Sequence, residues 1–361
     1  MSIEKEYTNV ETSWNEAHLI NSALDDSDIT VEQANKIIYE KLLPNILHTK
    51  LFIELPLERL EEMGNISQGQ ALLNILNEKD DNDMSVLDSL AENSVSLAIA
   101  MQEGFDKDEH MIEALKKLNE KGIKPTLWSV LTDDIGYWTN KANVIESVDK
   151  LVKMIKWARE NGIEIDKIGL DYEPPIQILK ALNRKDINGI INVKREYDQK
   201  AAQNEKELGD IQMYMDYPLS RIMEKYDIGI ETYVPAKPLR RISKKLGLIL
   251  EENENTDRVP MTYTSAFKIL SSIILNGLDD SDIPALGIVG SDEEHTPGRD
   301  LKESKDGEKK PESHLNLDEL TYAFNKTLVR EKPFRTHNVF ALDSAKTLEM
   351  VLKAREDATN E

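Results

Sequence analysis

The chain has 361 residues, no cysteine, and a formal net charge of −22 from 45 basic and 67 acidic side chains. This charge repels phosphate backbones and anionic lipids, so we expect neither nucleic acid nor a membrane as a partner. Without cysteine the chain has no disulfide, thiolate metal site or cysteine nucleophile, and the sequence predicts no cofactor. The first residues lack the basic and apolar segments of a signal peptide, and no run has the length of a membrane span. We therefore expect a cytoplasmic protein, unless a leader has been trimmed.

The N-terminal part of the chain differs in pattern from the rest. Residues 1–30 are polar, and a helical pattern follows with Thr30 as its cap, which predicts an N-terminal extension with a helix over residues 1–50. From there on, short apolar runs alternate with amphipathic helical patterns. The runs lie at residues 51–56, 94–102, 124–132, 167–175, 227–235, 258–265, 283–291 and 335–344.

Eight strand–helix units in succession predict an α/β protein with a (β/α)8 TIM barrel over residues 51–361. The second run supports this, because small or polar residues such as Ala98 and Ala100 alternate with Leu97 and Ile99, which suits a barrel interior. A helical insertion at about residues 176–226 and a charged loop at about 292–313 interrupt the pattern. An open doubly wound sheet shows the same alternation, but no glycine-rich phosphate loop follows any early strand.

In a barrel, the chemistry belongs to the carboxyl ends of the strands. These ends carry Glu54, Gln102, Glu103, Thr132, Asp133, Asp134, Asp171, Glu173, Glu231, Tyr233, Tyr263, Thr264, Ser291, Asp292 and Asp343. The set is acidic and aromatic and contains no lysine or arginine, which disfavours a phosphorylated substrate. A neutral sugar suits carboxylates and aromatic platforms better, and the sequence therefore predicts a carbohydrate partner.

The fourth run, KIGLDYEPP, holds two carboxylates that point to one face of the strand, Asp171 and Glu173, roughly 7 Å apart along it. Pro174 and Pro175 then end the strand. Two adjacent carboxylates do not ionise together easily, so one of them should keep a proton and serve as a general acid for glycoside cleavage. We assign this role to Glu173, tuned by Asp171; capping of a helix or pairing with basic groups is the structural alternative.

The residues Asp166, Gly169, Asp171 and Glu173 resemble the D-x-x-D-x-D-x-E signature of family 18 glycoside hydrolases, the chitinases and endo-β-N-acetylglucosaminidases. The sixth run, PMTYTS, is similar to the M-x-Y-D of the same family, with Met261 and Tyr263 matching. Gly169 and Thr264 stand where the family has aspartates.

The resemblance implies an N-acetylamino sugar glycan as substrate. Glu173 would protonate the leaving oxygen, and Asp171 would orient the 2-acetamido group, whose carbonyl oxygen is the nucleophile. Tyr263 would donate a hydrogen bond to that group. The predicted substrate-binding set is completed by five residues at or near the strand ends: Glu231, Tyr233, Trp128, Met261 and Asp343.

Three other functions are open. The departures at Gly169 and Thr264 allow a barrel that binds a carbohydrate or a protein without cleaving it. Glu173 followed by Pro174 is similar to the N-E-P of clan A retaining glycosidases, with an acid at Asp292, Glu293 or Glu294 as nucleophile. A metal-dependent sugar isomerase would use carboxylates such as Glu173, Glu231 and Asp343. The six histidines show no ligand spacing, and we predict no metal site.

Overall fold

The computed structural model describes most of the chain from residue 48 onward. The residues described are 48–55, 60–61, 63–175, 177–178, 181, 186–235, 237–253, 255–261, 284–288, 315–328, 336–340 and 342–360. The predicted N-terminal helix, the charged loop at 292–313, and the site residue Tyr263 with its neighbour Thr264 lie outside this set.

Eight parallel strands form a closed barrel in chain order, with the last strand pairing with the first. The strands are β1 His48–Ile53, β2 Val95–Met101, β3 Thr126–Ser129, β4 Lys167–Asp171, β5 Gly229–Pro235, β6 Asp257–Met261, β7 Ala285–Ile288 and β8 Thr336–Phe340. Leu51 of β1 lies opposite Leu97 of β2 on one side and Val339 of β8 on the other, which closes the sheet. The predicted TIM barrel is confirmed.

The described helices lie between these strands in sequence, except the last, which follows β8. They are α1 Gln68–Asn77, α2 Val86–Glu92, α3 Glu109–Glu120, α4 Val144–Glu160, α5 Ile187–Leu208, α6 Ile211–Tyr226, α7 Lys237–Lys245, α8 Leu317–Leu328 and α9 Ala345–Asn360. Local chemistry sets their ends: Asp108 caps α3 by accepting from the amides of His110 and Met111, and Gly122, with φ +77°, follows its end. Among these helices, none combines the length and the apolar character that crossing a bilayer requires.

The alternation along β2 separates two cores, as the sequence predicts. Leu97, Ile99 and Met101 are buried together with apolar residues of the helices. Ala98 and Ala100 are buried in a second cluster with side chains from other strands, which fills the barrel interior. Small residues on this strand leave room for the aromatic rings that neighbouring strands direct inward.

A charged pair crosses the interior near the amino ends of the strands. Lys50 of β1 donates to the Glu231 carboxylate of β5 at 2.5 Å and to the Thr126 hydroxyl at 3.0 Å. Lys167 of β4 reaches the same Glu231 oxygen at 3.1 Å and Asp257 at 2.8 Å. The side chains of Lys50 and Glu231 are 3% and 2% exposed, so each neutralises the other where water does not reach.

This geometry predicts that Lys50→Met is strongly destabilising. Glu231 would stay buried with only Lys167, which it shares with Asp257, and breaking a buried ion pair costs about 3 kcal/mol or more. Urea unfolding at pH 7 measures the change. Lys50→Met/Glu231→Gln should lose less stability than Lys50→Met alone.

Lys79→Met serves as the matched control, because Lys79 forms an exposed pair with Asp83 at 2.6 Å. Exposed pairs of this kind contribute about 1 kcal/mol or less. If Lys50→Met and Lys79→Met had the same free energy of unfolding, the buried pair would not have the role assigned to it.

Candidate active site

The carboxyl end of β4 places two acids at the mouth of the barrel. Asp171 is the last residue of the strand, and Glu173 follows two positions later with its side chain on the same face. Tyr172 points to the opposite side, where it is fully buried among residues of the outer core. Two prolines, Pro174 and Pro175, then stop the strand from continuing, because neither has an amide hydrogen to donate.

The side chains of Asp171 and Glu173 converge into one hydrogen-bonded pair. Asp171 is 1% exposed and Glu173 is 6% exposed. Two carboxyl groups this close do not ionise together readily, so the arrangement favours retention of a proton by the pair. The backbone carbonyl of Asp171 accepts from the amide of Thr139 at 2.8 Å, which fixes the strand end against the loop after β3.

Burial is the main reason why the pair keeps its proton. Loss of hydration raises the pKa of Glu173 to about 8, although its hydrogen bond with Asp171 acts in the opposite direction. The pKa of Asp171 is also raised, first by burial and then by the negative charges of Glu173 and Glu54. The pair therefore titrates as a unit that retains one proton near neutral pH.

A third carboxylate, Glu54, reaches the same region from the end of β1. It accepts a hydrogen bond from the Tyr137 hydroxyl, and Gln102, just after β2, donates to that hydroxyl at 3.4 Å. Sequence reasoning placed Glu54 and Gln102 at strand ends but gave neither a role. Their positions just after β1 and β2 were the available signal, since barrel strand ends converge.

The loop after β3 positions Tyr137 through a strained backbone conformation. Tyr137 has φ +64°, a left-handed conformation that is uncommon for a residue other than glycine, and it follows Gly136 with φ +109°. The turn is held by the Leu131 amide, which donates to the Tyr137 carbonyl at 2.7 Å, and by Asn143, which donates to the Trp138 carbonyl at 2.8 Å. Such strain persists where the surrounding structure fixes it, and functional sites are where it concentrates.

Below the acids, aromatic side chains from four strands pack together, mostly edge to face. Tyr233 lies 5.1 Å from Phe52 and 5.7 Å from Trp128, measured between ring centroids. Phe340 completes the group, 5.7 Å from Phe52. Two of the predicted substrate-binding residues, Trp128 and Tyr233, are thus brought together as the floor under the acids, and Met261 joins the same buried cluster.

Gly169 lacks a side chain because Tyr233 occupies that space. A Cβ added to Gly169 would lie 2.6 Å from the Tyr233 ring and from its hydroxyl oxygen. Tyr233 is in turn held by its own hydroxyl, which donates to Glu231 at 3.0 Å. The position where the D-x-x-D-x-D-x-E pattern has its second aspartate is therefore filled by a ring from the neighbouring strand.

The structure places Glu231 one layer below the mouth, away from the strand end. It is the third residue of β5, opposite Gly169, whereas Tyr233 lies opposite Asp171. Burial works to raise the pKa of Glu231, but the charges of Lys50 and Lys167 outweigh burial, and the pKa is lowered. Glu231 is thus an ionised partner of two lysines.

Asp343, after β8, accepts hydrogen bonds at the start of α9. Its donors are the Ser344 hydroxyl, at 3.0 Å, and the Thr347 hydroxyl. Among the described residues, no group of three or more acidic or histidine side chains is arranged to hold a metal ion. Glu173, Glu231 and Asp343 are all described, and together they do not form such a group.

Searches against protein-family models and against characterised proteins give no match to this sequence. Among solved structures, a GH18 chitinase from Pseudoalteromonas aurantia is similar with a TM-score of 0.48 and 9% identity, over 86% of this chain and 99% of that one. A D-psicose 3-epimerase, solved in the presence of D-fructose, has a TM-score of 0.37 and 9% identity, over 87% of this chain and 96% of that one. The chain is a TIM barrel. This assignment rests on the closed strand order of the chain itself and not on either neighbour.

Gly169→Ala should destabilise the protein, because the new methyl group has to displace a buried aromatic ring. Overpacking of this kind costs about 1–3 kcal/mol. Gly229→Ala on β5 is the matched control, since a Cβ there meets the Lys167 side chain at 2.9 Å, and that partly exposed chain can shift. Urea unfolding of both variants tests this; equal losses would contradict a special role for the ring.

The raised pKa of Glu173 predicts a pH dependence of stability with a definite sign. The unfolded chain releases this proton near pH 4.5 and the folded protein near pH 8, so stability falls as pH rises between these values. Glu173→Gln cannot bind this proton. As pH rises across the window, the free energy of unfolding of the variant should therefore increase relative to that of wild type by up to about 1.4 kcal/mol per pH unit.

Denaturant titrations of both proteins at pH 5, 6.5 and 8 measure this difference. Comparing the two cancels the contributions of buried histidines such as His337, whose pKa is lowered to about 3 by burial. Glu113→Gln, on the exposed face of α3, should run parallel to wild type. A parallel course for Glu173→Gln would contradict the assignment.

Proposed function

We propose that this barrel is a glycoside hydrolase that acts on an N-acetylamino sugar glycan, with Glu173 as general acid and Asp171 assisting. The observation that carries the proposal is the pair of buried carboxyls, Asp171 and Glu173, brought together at the end of β4. Burial raises the pKa of both groups, which favours a protonated pair. Breaking a glycosidic bond requires a proton on the leaving oxygen, and a carboxyl group with a pKa near 8 supplies it.

Glu173 is the member of the pair better placed to donate. It stands beyond the strand end and is 6% exposed, whereas Asp171 is 1% exposed. A proton on either carboxyl can move across the hydrogen bond that joins them. When Glu173 gives its proton to the leaving oxygen, a negative charge remains on the pair of carboxyls. Asp171 can then interact with the positive charge that develops on the substrate.

The closeness of the two carboxyls favours a substrate-assisted route. Retaining glycosidases hold acid and nucleophile about 5–5.5 Å apart, and inverting enzymes hold acid and base about 6.5–9.5 Å apart. Carboxyls in direct hydrogen-bond contact are closer than either arrangement, so Asp171 is badly placed to attack the opposite face of the sugar. The carbonyl oxygen of a 2-acetamido group on the substrate can act as the nucleophile in place of Asp171.

Two buried polar atoms support a polar ligand at this point. Among the residues that the structure describes, one oxygen of the Asp171 carboxyl, Oδ1, and the indole nitrogen of Trp128 have no hydrogen-bond partner. Unsatisfied buried groups are costly and tend to mark functional sites. In the proposed complex, Asp171 Oδ1 accepts from the acetamido N–H, which holds the carbonyl oxygen toward the anomeric carbon.

A second candidate is a barrel that binds a glycan without cleaving it. The observation in its favour is the Tyr233 ring over Gly169, which removes one acid from the strand-four pattern of the resembled family. Thr264, which stands where the resembled family has an aspartate next to Tyr263, is a second departure that favours binding without cleavage. Both candidates use the same mouth, and activity separates them.

Hydrolysis of chromogenic N-acetylglucosaminides and their oligomers by wild type and Glu173→Gln tests the proposal. Loss of the general acid should lower kcat/KM about 10²–10⁴-fold. The wild-type rate should decline as pH rises through about 8, because Glu173 then loses the proton it has to donate. Glu103→Gln is the matched control, being an exposed acid just beyond β2.

The matching glucosides, which carry a hydroxyl in place of the 2-acetamido group, test the substrate-assisted route and should not be cleaved. Equal turnover by wild type and Glu173→Gln would contradict the role of Glu173. Saturable glycan binding with no hydrolysis of any substrate would establish the second candidate instead.

A further inference from the structure

A cleft of about 510 Å³ runs between α4 and α6 on the outside of the barrel. Both helices run opposite to the strands, and α4 ends a few residues before β4 begins, so this cleft lies toward the amino ends of the strands. It is therefore remote from the carboxyl pair. Its lining is largely apolar and includes Val152, Ile155, Tyr217, Pro218 and Ile222.

Several apolar side chains along this cleft are unusually exposed. Tyr217 of α6 is 68% exposed and Val152 of α4 is 50% exposed, and they belong to the two helices that face each other. Met213, one turn before Tyr217 but not part of the lining, is 67% exposed. Contiguous apolar surface rimmed by charge is typical of an interaction site.

The charged rim of the cleft is cationic. Lys156, Arg159, Arg221 and Lys225 line it, with Glu160 as the acid in the lining. Two of these cations cover one ring, with the Arg159 guanidinium 4.5 Å and the Lys225 ammonium 5.0 Å from the Tyr226 centroid. This concentration of positive charge stands out in a chain with a net charge of −22.

Ordinary structural roles account for part of this charge only. Arg159 and Lys225 lie in the last turns of their helices, where a cation stabilises the helix dipole. Lys156 pairs with Glu160 at 3.7 Å and Arg221 with Glu224 at 3.2 Å, both at exposed positions where such pairs contribute little. Neither role explains why Tyr217 and Val152 are left in solvent between these cations.

We propose that this cleft binds an acidic amphipathic helix of a partner protein. From Val152 to Glu160 the groove wall extends about 12 Å, the length of about two helical turns. An occupant of that size lays apolar side chains at i, i+3, i+4 and i+7 on Val152, Tyr217 and Pro218. Its carboxylates then face the four cations of the rim, which gives charge complementarity.

The acidic character of the occupant follows from the rest of the chain. A net charge of −22 repels anions from most of the surface, so an acidic segment gains only where cations are gathered. A basic segment would meet attraction over much of the protein and would find repulsion in this cleft. The cleft therefore favours a partner of negative charge and also determines where on the surface that partner binds.

Fluorescence anisotropy with a labelled synthetic helix tests this proposal on the full chain. The probe has leucines at i, i+3, i+4 and i+7 and glutamates elsewhere; the control peptide has lysines in place of the glutamates. We expect saturable binding of the acidic peptide, weakening as salt is added. The double variant Arg159→Glu/Arg221→Glu should bind at least about tenfold more weakly.

Arg195→Glu/Lys346→Glu, at exposed positions on α5 and α9, makes the same change in net charge and should leave binding intact. Tyr217→Ser removes an exposed apolar contact without changing charge, and should also weaken binding. Circular dichroism of each variant confirms that it is folded.

Three results would overturn the proposal. They are absence of binding by the acidic peptide, equal losses in the two charge-reversal pairs, and binding to phosphatidylserine vesicles in place of the peptide. None of these outcomes bears on glycan hydrolysis, since the cleft and the barrel mouth are separate sites.

Discussion

The buried pair of Lys50 and Glu231 is the interaction on which the barrel interior depends. It joins β1 to β5 across the barrel, and it keeps Glu231 ionised at a depth where a lone carboxylate would be costly. The ionised Glu231 accepts a hydrogen bond from the Tyr233 hydroxyl. That bond holds the Tyr233 ring against Gly169 and beside Trp128. The aromatic floor beneath the acids thus rests on an ion pair at the opposite end of the strands.

The same barrel holds carboxylates in two opposite electrostatic states. Glu231 and Asp171 project inward from neighbouring strands, one layer apart. Two lysines lower the pKa of the first, whereas burial and neighbouring acids raise the pKa of the second. Lys50 and Lys167 lie with Glu231 in the lower layer, and no cation of the described residues contributes to the raised pKa values of Asp171 and Glu173. This difference between the layers favours a protonated carboxyl at the mouth.

Features that depend on local periodicity could be predicted from the sequence. The eight strands, the shared face of Asp171 and Glu173, and the small residues Ala98 and Ala100 all follow from alternation within one segment. The position of Glu231 could not, because the Gly-x-acid spacing of β5 resembles that of β4 while the register shifts it one layer down. Its partner Lys50 is 181 residues away, and the contact of Tyr137 with Glu54 spans 83 residues. No local pattern records such contacts, which arise only when distant strand ends converge.

The fit of the Tyr233 ring over Gly169 has a consequence for how this sequence can change. An acid at residue 169 has no room while the ring is present, and loss of the ring alone would leave a void and remove the Tyr233 hydrogen bond to Glu231. Each step taken singly passes through a less stable protein, so the two positions have to change together. Residue 169 of β4 and residue 233 of β5 are therefore coupled, and an acid at residue 169 requires a smaller side chain at residue 233 in the same step.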